Sequence, residues 1–262
     1  MAMERALDVS NYSGVFSREA VACWRQQGYG HLVCGSQRSE ITRRQLETAV
    51  AGGMSVDAYV YLYWRFDVAG QVAAALETVR GYPVERLWLD CEDAAGGLAP
   101  AAIVGRIGTA VAACGAFPHG IYTGRWWWEP TTGASRAFSH LPLWHAEYPV
   151  VSEPPPDFAG FRAYGGWSRP AMWQYRGTTQ LCGVGVDLNQ REVLAAVDRA
   201  PLTPDERREL DGLRAGRRFQ QALHAGRYAF RPASGRRDAV ELVRVEAGRP
   251  LPLEPPSIVV VD

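Results

Sequence analysis

The sequence contains no lysine and no excess of charge of either sign, although it is 262 residues long. Its 28 basic residues, all of them arginine, balance 28 acidic residues. Proteins that bind nucleic acid or an anionic membrane surface usually carry a basic excess. We therefore expect neither nucleic acid nor a membrane among the partners. The lack of lysine has no functional implication of its own.

Long apolar runs are also missing, and no stretch approaches the roughly 20 residues of a membrane span. The first residues, MAMERALD, lack the basic-then-apolar pattern of a secretory signal. We therefore expect a cytoplasmic protein.

Cysteine and histidine are scarce and follow no metal-binding pattern. The five cysteines are odd in number and form no CxxC pair, so we expect buried thiols in a reducing compartment and no disulfide framework. His140 and His145 lie five apart with Pro142 between them, which is not typical of a metal site. We expect neither a metal nor a cofactor. The cysteines are Cys23, Cys34, Cys91, Cys114 and Cys182.

One predicted strand ends in a cluster of acids. Residues 87–89, Leu-Trp-Leu, are typical of a buried strand in a parallel sheet, and Asp90 and Glu92 follow directly. Strand side chains alternate, so Asp90 and Glu92 should face one way and Cys91 the other, with about 6.8 Å between the two acids along the backbone. Two carboxyl groups this close acquire different pKa values, and one can donate a proton while the other stays ionised. Hydrolysis of a glycosidic bond needs that division of roles. The plain alternative is a solvated acidic loop.

Apolar strands alternate with amphipathic helices as far as about residue 190. This order predicts parallel βαβ units and an α/β fold, a TIM-like (β/α) barrel of about eight strands. The later connections are rich in Pro, Gly and Trp, so we expect an irregular second half. The predicted strands are residues 6–10, 29–34, 56–64, 86–93, 120–123, 143–146, 172–175 and 186–189, and the predicted helices are 18–27, 42–50, 68–80 and 100–114.

The character of the sequence changes after Arg199. A proline-interrupted stretch, 201–204, precedes a charged amphipathic segment and three short β-like pieces. We therefore expect residues 1–198 to form the barrel domain and 199–262 a small C-terminal α+β extension. An apolar strand at the end of a chain needs a pairing partner, so the extension is a candidate surface for self-association or a protein partner. The predicted helix is 205–225, and the β-like pieces are 227–231, 239–245 and 257–261.

Acids and aromatic residues recur at the predicted strand ends, where β/α barrels carry their catalytic groups. Asp8 closes the first strand and Asp187 lies in the last, and these strands are neighbours in a closed barrel. We therefore expect Asp8 and Asp187 to meet, and to form one cluster with Asp90 and Glu92. Acids ringed by aromatic side chains are typical of a carbohydrate cleft, although aromatic residues are also common in cores. The aromatic candidates for substrate binding are Tyr59, Tyr61, Tyr122, Trp144, Tyr148, Trp173 and Tyr175.

Five short motifs in series, spanning about residues 5–190, resemble those of glycoside hydrolase family 25, the Chalaropsis-type lysozymes of bacteria and phage endolysins. One departure lies in the third strand, where the family often has Gly-x-Tyr-His-Phe and this chain has DAYVY at 57–61. The missing histidine affects a substrate contact and leaves the acids intact. The matching motifs are DVSNYSG at 8–14, DCE at 90–92, IYT at 121–123, LWHAEY at 143–148, and WQY at 173–175 with VDLN at 186–189.

The resemblance implies a muramidase that cuts the β-1,4 bond between N-acetylmuramic acid and N-acetylglucosamine in peptidoglycan. It implies that Glu92 acts as general acid and then base, that Asp90 orients the substrate's acetamido group, and that Asp8 and Asp187 position water or substrate. A spacing of about 6.8 Å exceeds the ~5–5.5 Å typical of a carboxylate nucleophile, so an inverting water and a substrate-assisted route both remain open.

The alternative function is that of a virion- or particle-associated protein that carries a lysozyme-like domain and binds the cell wall structurally. Peptidoglycan is the expected partner under either hypothesis. The protein would reach the wall after release, as phage endolysins do, or as part of a particle.

Overall fold

The computed structural model describes residues 2–148, 156–193, 228–232 and 240–244. The chain separates into two compact units, Met1–Val193 and Leu194–Asp262, and the first contains a closed eight-stranded barrel with its strands in chain order. The strands are β1 (Ala2–Val9), β2 (Tyr29–Gly35), β3 (Ser55–Tyr61), β4 (Val84–Asp90), β5 (His119–Thr123), β6 (Leu143–Ala146), β7 (Met172–Leu181) and β8 (Val184–Val193). The helices are α1 (Arg18–Gln26), α2 (Ser39–Ala51), α3 (Val68–Val79), α4 (Pro100–Cys114) and α5 (Arg125–Thr132), with 3-10 turns at Asn11–Ser13 and Pro156–Phe158.

The helices begin where the sequence supplies a cap. The Ser17 hydroxyl accepts the Ala20 N–H at the start of α1, and the Asp67 carboxylate caps α3. Proline opens α4, where its missing N–H has no helical partner to lose. The predicted bounds of these three helices are confirmed to within one residue. The additional helix α5 was not predicted, because its sequence combines three tryptophans with an internal proline.

The barrel differs from the predicted all-parallel arrangement at its last strand. Neighbouring strands from β1 to β7 run parallel, whereas β8 runs antiparallel to both β7 and β1. The physical reason is the length of the last connection: Cys182 and Gly183, both at positive φ, turn β7 directly into β8. A parallel crossover needs a dozen or more residues. The prediction of eight parallel units is therefore wrong for β8, and the predicted irregular second half is confirmed.

The alternation predicted for β4 is confirmed. Leu87, Leu89 and Cys91 pack in the layer between strands and helices, while Trp88 lies in the barrel interior with the ring of Tyr122. Asp90, two residues beyond Trp88, therefore also faces the interior, at the carboxyl end of the barrel.

A polar layer fills the barrel one step below that end. His31 Nε2 lies 3.3 Å from Asp57 Oδ2, and the Trp88 indole N–H donates to the same oxygen at 2.8 Å. Burial alone would raise the pKa of Asp57, but His31, Arg86 and the Trp88 hydrogen bond together hold it below its usual value. Buried polar and aromatic groups thus lie in the barrel interior beneath the acids.

The structure corrects the expectation that all cysteines are thiols. Cys23 in α1 and Cys182 at the tip of the β7–β8 hairpin form a disulfide, with their Cα atoms 6.2 Å apart. The two residues are 159 positions apart, so no local spacing could reveal the pair. A disulfide that closes a loop of this length lowers the entropy of the unfolded chain, which stabilises the folded state by on the order of 5 kcal/mol. Cys34, Cys91 and Cys114 are buried free thiols.

The second unit contains, in its described part, a two-stranded antiparallel sheet of β9 (Tyr228–Pro232) and β10 (Val240–Arg244). These strands match the β-like pieces predicted at 227–231 and 239–245. The predicted helix 205–225 and the predicted strand 257–261 lie outside the described residues. The boundary between 198 and 199 stays a prediction.

Deletion of everything after Ala200 should leave a soluble, folded barrel. The reason is that β8 ends at Val193 and both of its partner strands lie in the first unit. We expect a cooperative thermal transition within about 4 °C of that of the full chain, measured by circular dichroism, since a change of 1 kcal/mol shifts the transition by about that amount. An insoluble or unfolded truncation would show that the extension is part of the barrel fold.

Candidate active site

Four carboxyl groups meet at the carboxyl end of the barrel. Asp8 is the penultimate residue of β1, and Asp187 lies in β8. Asp90 is the last residue of β4, and Glu92 follows two residues later. Asp8 and Asp187 face each other in the β1–β8 register, so their predicted proximity is confirmed. Both Glu92 and Asp8 act electrostatically on Asp90, which places all four acids in one cluster.

A hydrogen-bond network holds Asp8 and Asp187 side by side. The Gln174 amide donates to Asp8 Oδ2 at 2.9 Å and to Asp187 Oδ2 at 3.2 Å. Asn189 donates a further bond to Asp8 Oδ2 at 2.7 Å. On the hairpin, the Thr178 backbone N–H donates to Asp187 Oδ1 at 2.6 Å. The two carboxyl groups are thus held next to each other by a shared donor, the Gln174 amide.

The two acids of β4 differ in their access to a substrate. Asp90 is buried, and its Oδ1 has no hydrogen-bond partner among the described residues. Glu92 is half-buried and so remains reachable from the mouth of the barrel. Burial raises the pKa of Asp90, and repulsion from Glu92 and Asp8 raises it further. Burial also raises the pKa of Glu92, with the charge of Asp187 as the second cause.

The cluster holds protons that isolated carboxyl groups would lose. Burial raises the pKa of Asp8 to about 8, and the Asp187 charge adds to this, while the bonds from Asn189 and Gln174 act in the opposite direction. Burial also raises the pKa of Asp187, against the stabilising Thr178 N–H bond. An accessible glutamate with a raised pKa is the chemical requirement for a general acid near neutral pH.

Three of the predicted aromatic residues support this network from within the barrel. The Tyr122 hydroxyl donates to Gln174 Oε1 at 2.8 Å, and the Trp144 indole donates to Asn189 Oδ1 at 2.7 Å. Tyr59 packs edge-on against Trp144, with 6.2 Å between ring centroids. These rings orient the amides that hold Asp8, and the burial of Tyr122 and Trp144 leaves little of either for contact with a ligand.

Two further candidates stand at the rim. The exposed Tyr148 donates its hydroxyl to Gln174 Oε1 at 2.9 Å, and the half-buried Tyr61 donates to Asp93 Oδ1 at 3.3 Å. Both rings therefore border the acids and remain accessible to a substrate.

The last two candidates, Trp173 and Tyr175, do not face the site. Because Gln174 points into the barrel, its neighbours on β7 point outward. The Trp173 ring packs on His145 at 4.9 Å between centroids, and Tyr175 lies in the outer core. Their prediction as substrate-binding residues is wrong, since it considered residue type and ignored the phase of the strand.

Sequence reasoning missed three residues of the network. Gln174 and Asn189 both lie in the quoted motifs. Asn189 is two residues after Asp187 and therefore faces the same side of β8, and Gln174 faces the side of β7 opposite to Trp173. Thr178 contributes only its backbone N–H, for which the sequence holds no signal.

A depression of about 470 Å³ opens beside Asp8 and Asp187. The 3-10 turn at Asn11–Ser13 forms one wall and the β7–β8 hairpin forms the other. The Ser13 hydroxyl joins the walls by donating to the Gly185 carbonyl at 2.8 Å. Cavities of this size hold small ligands or part of a longer chain.

Comparison with known proteins agrees with this geometry. A family model described as Lysozyme-like protein 1 matches residues 2–175. Probable GH family 25 lysozyme 4 of Dictyostelium discoideum is 30% identical over 195 residues, which cover 70% of this chain and 88% of that protein. The chain belongs to glycoside hydrolase family 25. Probable GH family 25 lysozyme 3 of the same organism is 32% identical over 154 residues, which cover 55% of this chain and 31% of that protein. The chain thus spans about a third of the length of this second relative.

The family 25 fold is also evident among solved structures. The bacterial lysozyme from Streptomyces coelicolor superimposes with a TM-score of 0.59 at 21% identity, covering 75% of this chain and 95% of that chain. In the part of the chain that the structure describes, no group of three or more His, Cys, Asp or Glu side chains could hold a metal ion. Over the same residues, no helix has the length and apolar character needed to cross a membrane.

Replacement of Asp8 by Asn should stabilise this family 25 barrel at alkaline pH. The pKa of Asp8 is about 8 in the folded chain and about 3.9 when unfolded, so the folded state binds the proton more tightly and loses stability as pH rises between these values. Asn carries no charge, and its Oδ1 can accept the same two bonds. We expect the Asp8→Asn melting temperature to exceed the wild-type value by roughly 2 °C or more at pH 9 and to match it near pH 4.

Glu40→Gln, at an exposed position of α2, is the control for removal of a carboxylate at the surface. A stability difference for Asp8→Asn that stays constant from pH 4 to pH 9 would contradict the raised pKa.

Proposed function

We propose that this family 25 chain is a muramidase that hydrolyses the β-1,4 bond between N-acetylmuramic acid and N-acetylglucosamine in peptidoglycan. The observation that carries the proposal is the four-acid cluster at the barrel mouth, in which the accessible Glu92 has a raised pKa next to the buried Asp90. The relatives named as probable lysozymes support the same class of substrate.

Glu92 is the proposed proton donor. Protonated and reachable, it can give its proton to the glycosidic oxygen as the bond to the leaving sugar breaks. The resulting carboxylate can then take a proton from the water that completes hydrolysis. Burial and the Asp187 charge favour its protonated form at the start of this cycle.

Asp90 is the proposed partner of the substrate's acetamido group. Its Oδ1 has no donor among the described residues, and an acetamido N–H would supply one. That contact would orient the acetamido oxygen for attack on the anomeric carbon. The other route is an inverting attack by water held between Asp8 and Asp187, and the anomeric configuration of the first product distinguishes the two.

Glu92→Gln should abolish nearly all turnover while leaving the fold and substrate binding intact. An amide has the shape of the acid but cannot donate the proton, and general acid/base groups contribute about 10² to 10⁴ in rate. Mass spectrometry of fragments released from purified peptidoglycan measures the loss, and Glu40→Gln is the control for a surface glutamate. Wild-type release of muropeptides by Glu92→Gln would contradict the assigned role.

We also propose that the protein is made in the cytoplasm and acts on the wall after release, in the manner of an endolysin or within a particle. Disulfides persist in oxidising surroundings, so the Cys23–Cys182 bond would form after release. Alkylation under denaturing conditions should then label all five cysteines in intact producing cells and only the three free ones after release. An oxidised pair in protein exported from intact cells would contradict this route.

Residues 199–262 are proposed to serve assembly or targeting, because they lie beyond both the matched family region and the last barrel strand. The truncation after Ala200 should keep muramidase activity but differ from the full chain in oligomeric state by light scattering or in attachment to cell walls. Identical behaviour of the two forms in both assays would contradict the role.

A further inference from the structure

The exposed aromatic side chains of the described residues all lie at one end of the barrel. They follow the carboxyl ends of β1, β3, β5 and β6, the end that carries the acids. An exposed ring forgoes the free energy of burial, so a concentration of rings at one surface indicates a ligand. These residues are Tyr12, Tyr63, Phe66, Trp126 and Tyr148.

Three rings after β3 form a continuous row, Tyr61–Tyr63–Phe66. The ring centroids are 4.8 Å apart between the two tyrosines and 6.2 Å apart between Tyr63 and Phe66. Tyr63 is 39% exposed and Phe66 54% exposed. The row begins at the acids, because Tyr61 pairs with Asp90 in the β3–β4 register. An accessible apolar surface therefore leads outward from the cluster.

Asp93 fixes the loop that carries this row. Its carboxylate accepts the Tyr61 hydroxyl and the Trp64 backbone N–H, both at 3.3 Å. Its carbonyl accepts the indole N–H of Trp64 at 3.1 Å and of Trp127 at 2.9 Å. The two indoles also stack, with 5.7 Å between centroids. Since the Tyr61 ring and the backbone at Trp64 are held before any ligand arrives, binding would cost less conformational entropy in this loop.

The outer end of the row carries positive charge. The Arg65 guanidinium lies 4.9 Å from the centre of the Phe66 ring, and Arg106 donates to the Phe66 carbonyl at 3.3 Å. The acid cluster repels a carboxylate, whereas this end of the row attracts one. A ligand that combines apolar faces with a carboxylate at some distance from the cleaved bond fits both features.

The row and the depression beside Asp187 lie at different parts of the barrel mouth, with the acids between them. In a closed barrel of eight strands in chain order, β3 is two strands from β1 and three from β8. The row follows the carboxyl end of β3, and the depression lies between the turn after β1 and the β7–β8 hairpin. A chain-like ligand that crosses the acids can therefore contact both.

We propose that Tyr61, Tyr63 and Phe66 form a glycan-binding subsite for sugar residues beyond the cleaved bond, and that Arg65 binds the lactyl or stem-peptide carboxylate of N-acetylmuramic acid there. The apolar C–H face of a sugar packs on an aromatic face while its hydroxyls stay in water. The inference rests on the proposed muramidase function. It specifies the surface through which binding depends on the length and charge of the glycan strand.

The test measures binding in the Glu92→Gln background, so that the probes are not consumed. The probes are soluble peptidoglycan glycan strands, chitin oligosaccharides of the same length without carboxylates, and a peptidoglycan disaccharide. Tyr63→Ala with Phe66→Ala should weaken binding of both long probes by about tenfold, which corresponds to about 1.4 kcal/mol, and should affect the disaccharide much less. Arg65→Ala should weaken binding of peptidoglycan strands alone.

Val50→Ala, at an exposed apolar position on α2, is the matched control and should leave binding unchanged. A variant with Tyr63→Phe and Phe66→Tyr keeps both rings and should bind the long probes as the Glu92→Gln parent does.

Unchanged affinity of the double alanine variant for both long probes would overturn the subsite. An equal effect of Arg65→Ala on chitin and peptidoglycan strands would overturn the carboxylate contact. Failure of the Glu92→Gln parent to bind any of the three probes would instead overturn the proposed function itself, so the two failures are distinguishable.

Discussion

The bidentate contact of Gln174 with Asp8 and Asp187 is the interaction on which the site depends. It joins carboxyl groups from the two strands whose antiparallel pairing closes the barrel. Tyr122 and Tyr148 both donate to the Gln174 carbonyl oxygen and thereby turn its NH₂ group toward the acids. The amide thus holds two carboxyl groups next to each other, although their mutual repulsion raises the pKa of Asp8. The contact that helps to close the barrel also positions the acids of the site.

The buried acids illustrate how a site is kept at the expense of stability. Asp8 and Asp90 lie in a barrel interior that raises the pKa of each, so every ionised form destabilises the fold. Around them the chain adds stabilising elements, namely the Cys23–Cys182 disulfide and the packed aromatic layer. The gain is a glutamate, Glu92, whose pKa is raised by burial and by the charge of Asp187 while its side chain remains open to a ligand.

Strand periodicity and strand order were enough to predict most of the cluster. Alternation placed Asp90 opposite to Cys91, and the closure of the barrel brought Asp8 to Asp187. The same alternation was not applied to β7, where it would have excluded Trp173 and Tyr175 from the substrate-binding residues. The reversed β8 and the disulfide were beyond prediction, since one depends on a two-residue turn and the other on contacts between distant parts of the chain. Of the aromatic row, only Tyr61 was predicted. Tyr63 and Phe66 were missed because they lie in the loop after β3, where no strand periodicity indicates which side chains are exposed.

The central claim is that burial in the cluster and the charge of Asp187 raise the pKa of Glu92 and so favour its protonated form. A carbon-13 NMR titration of the Glu92 side-chain carboxyl tests it directly, in the wild-type chain and in Asp187→Asn. The account predicts a wild-type midpoint above the ordinary glutamate value of about 4.3, and a lower midpoint in Asp187→Asn because the neighbouring negative charge is gone. An ordinary midpoint that the substitution leaves unchanged would contradict the account.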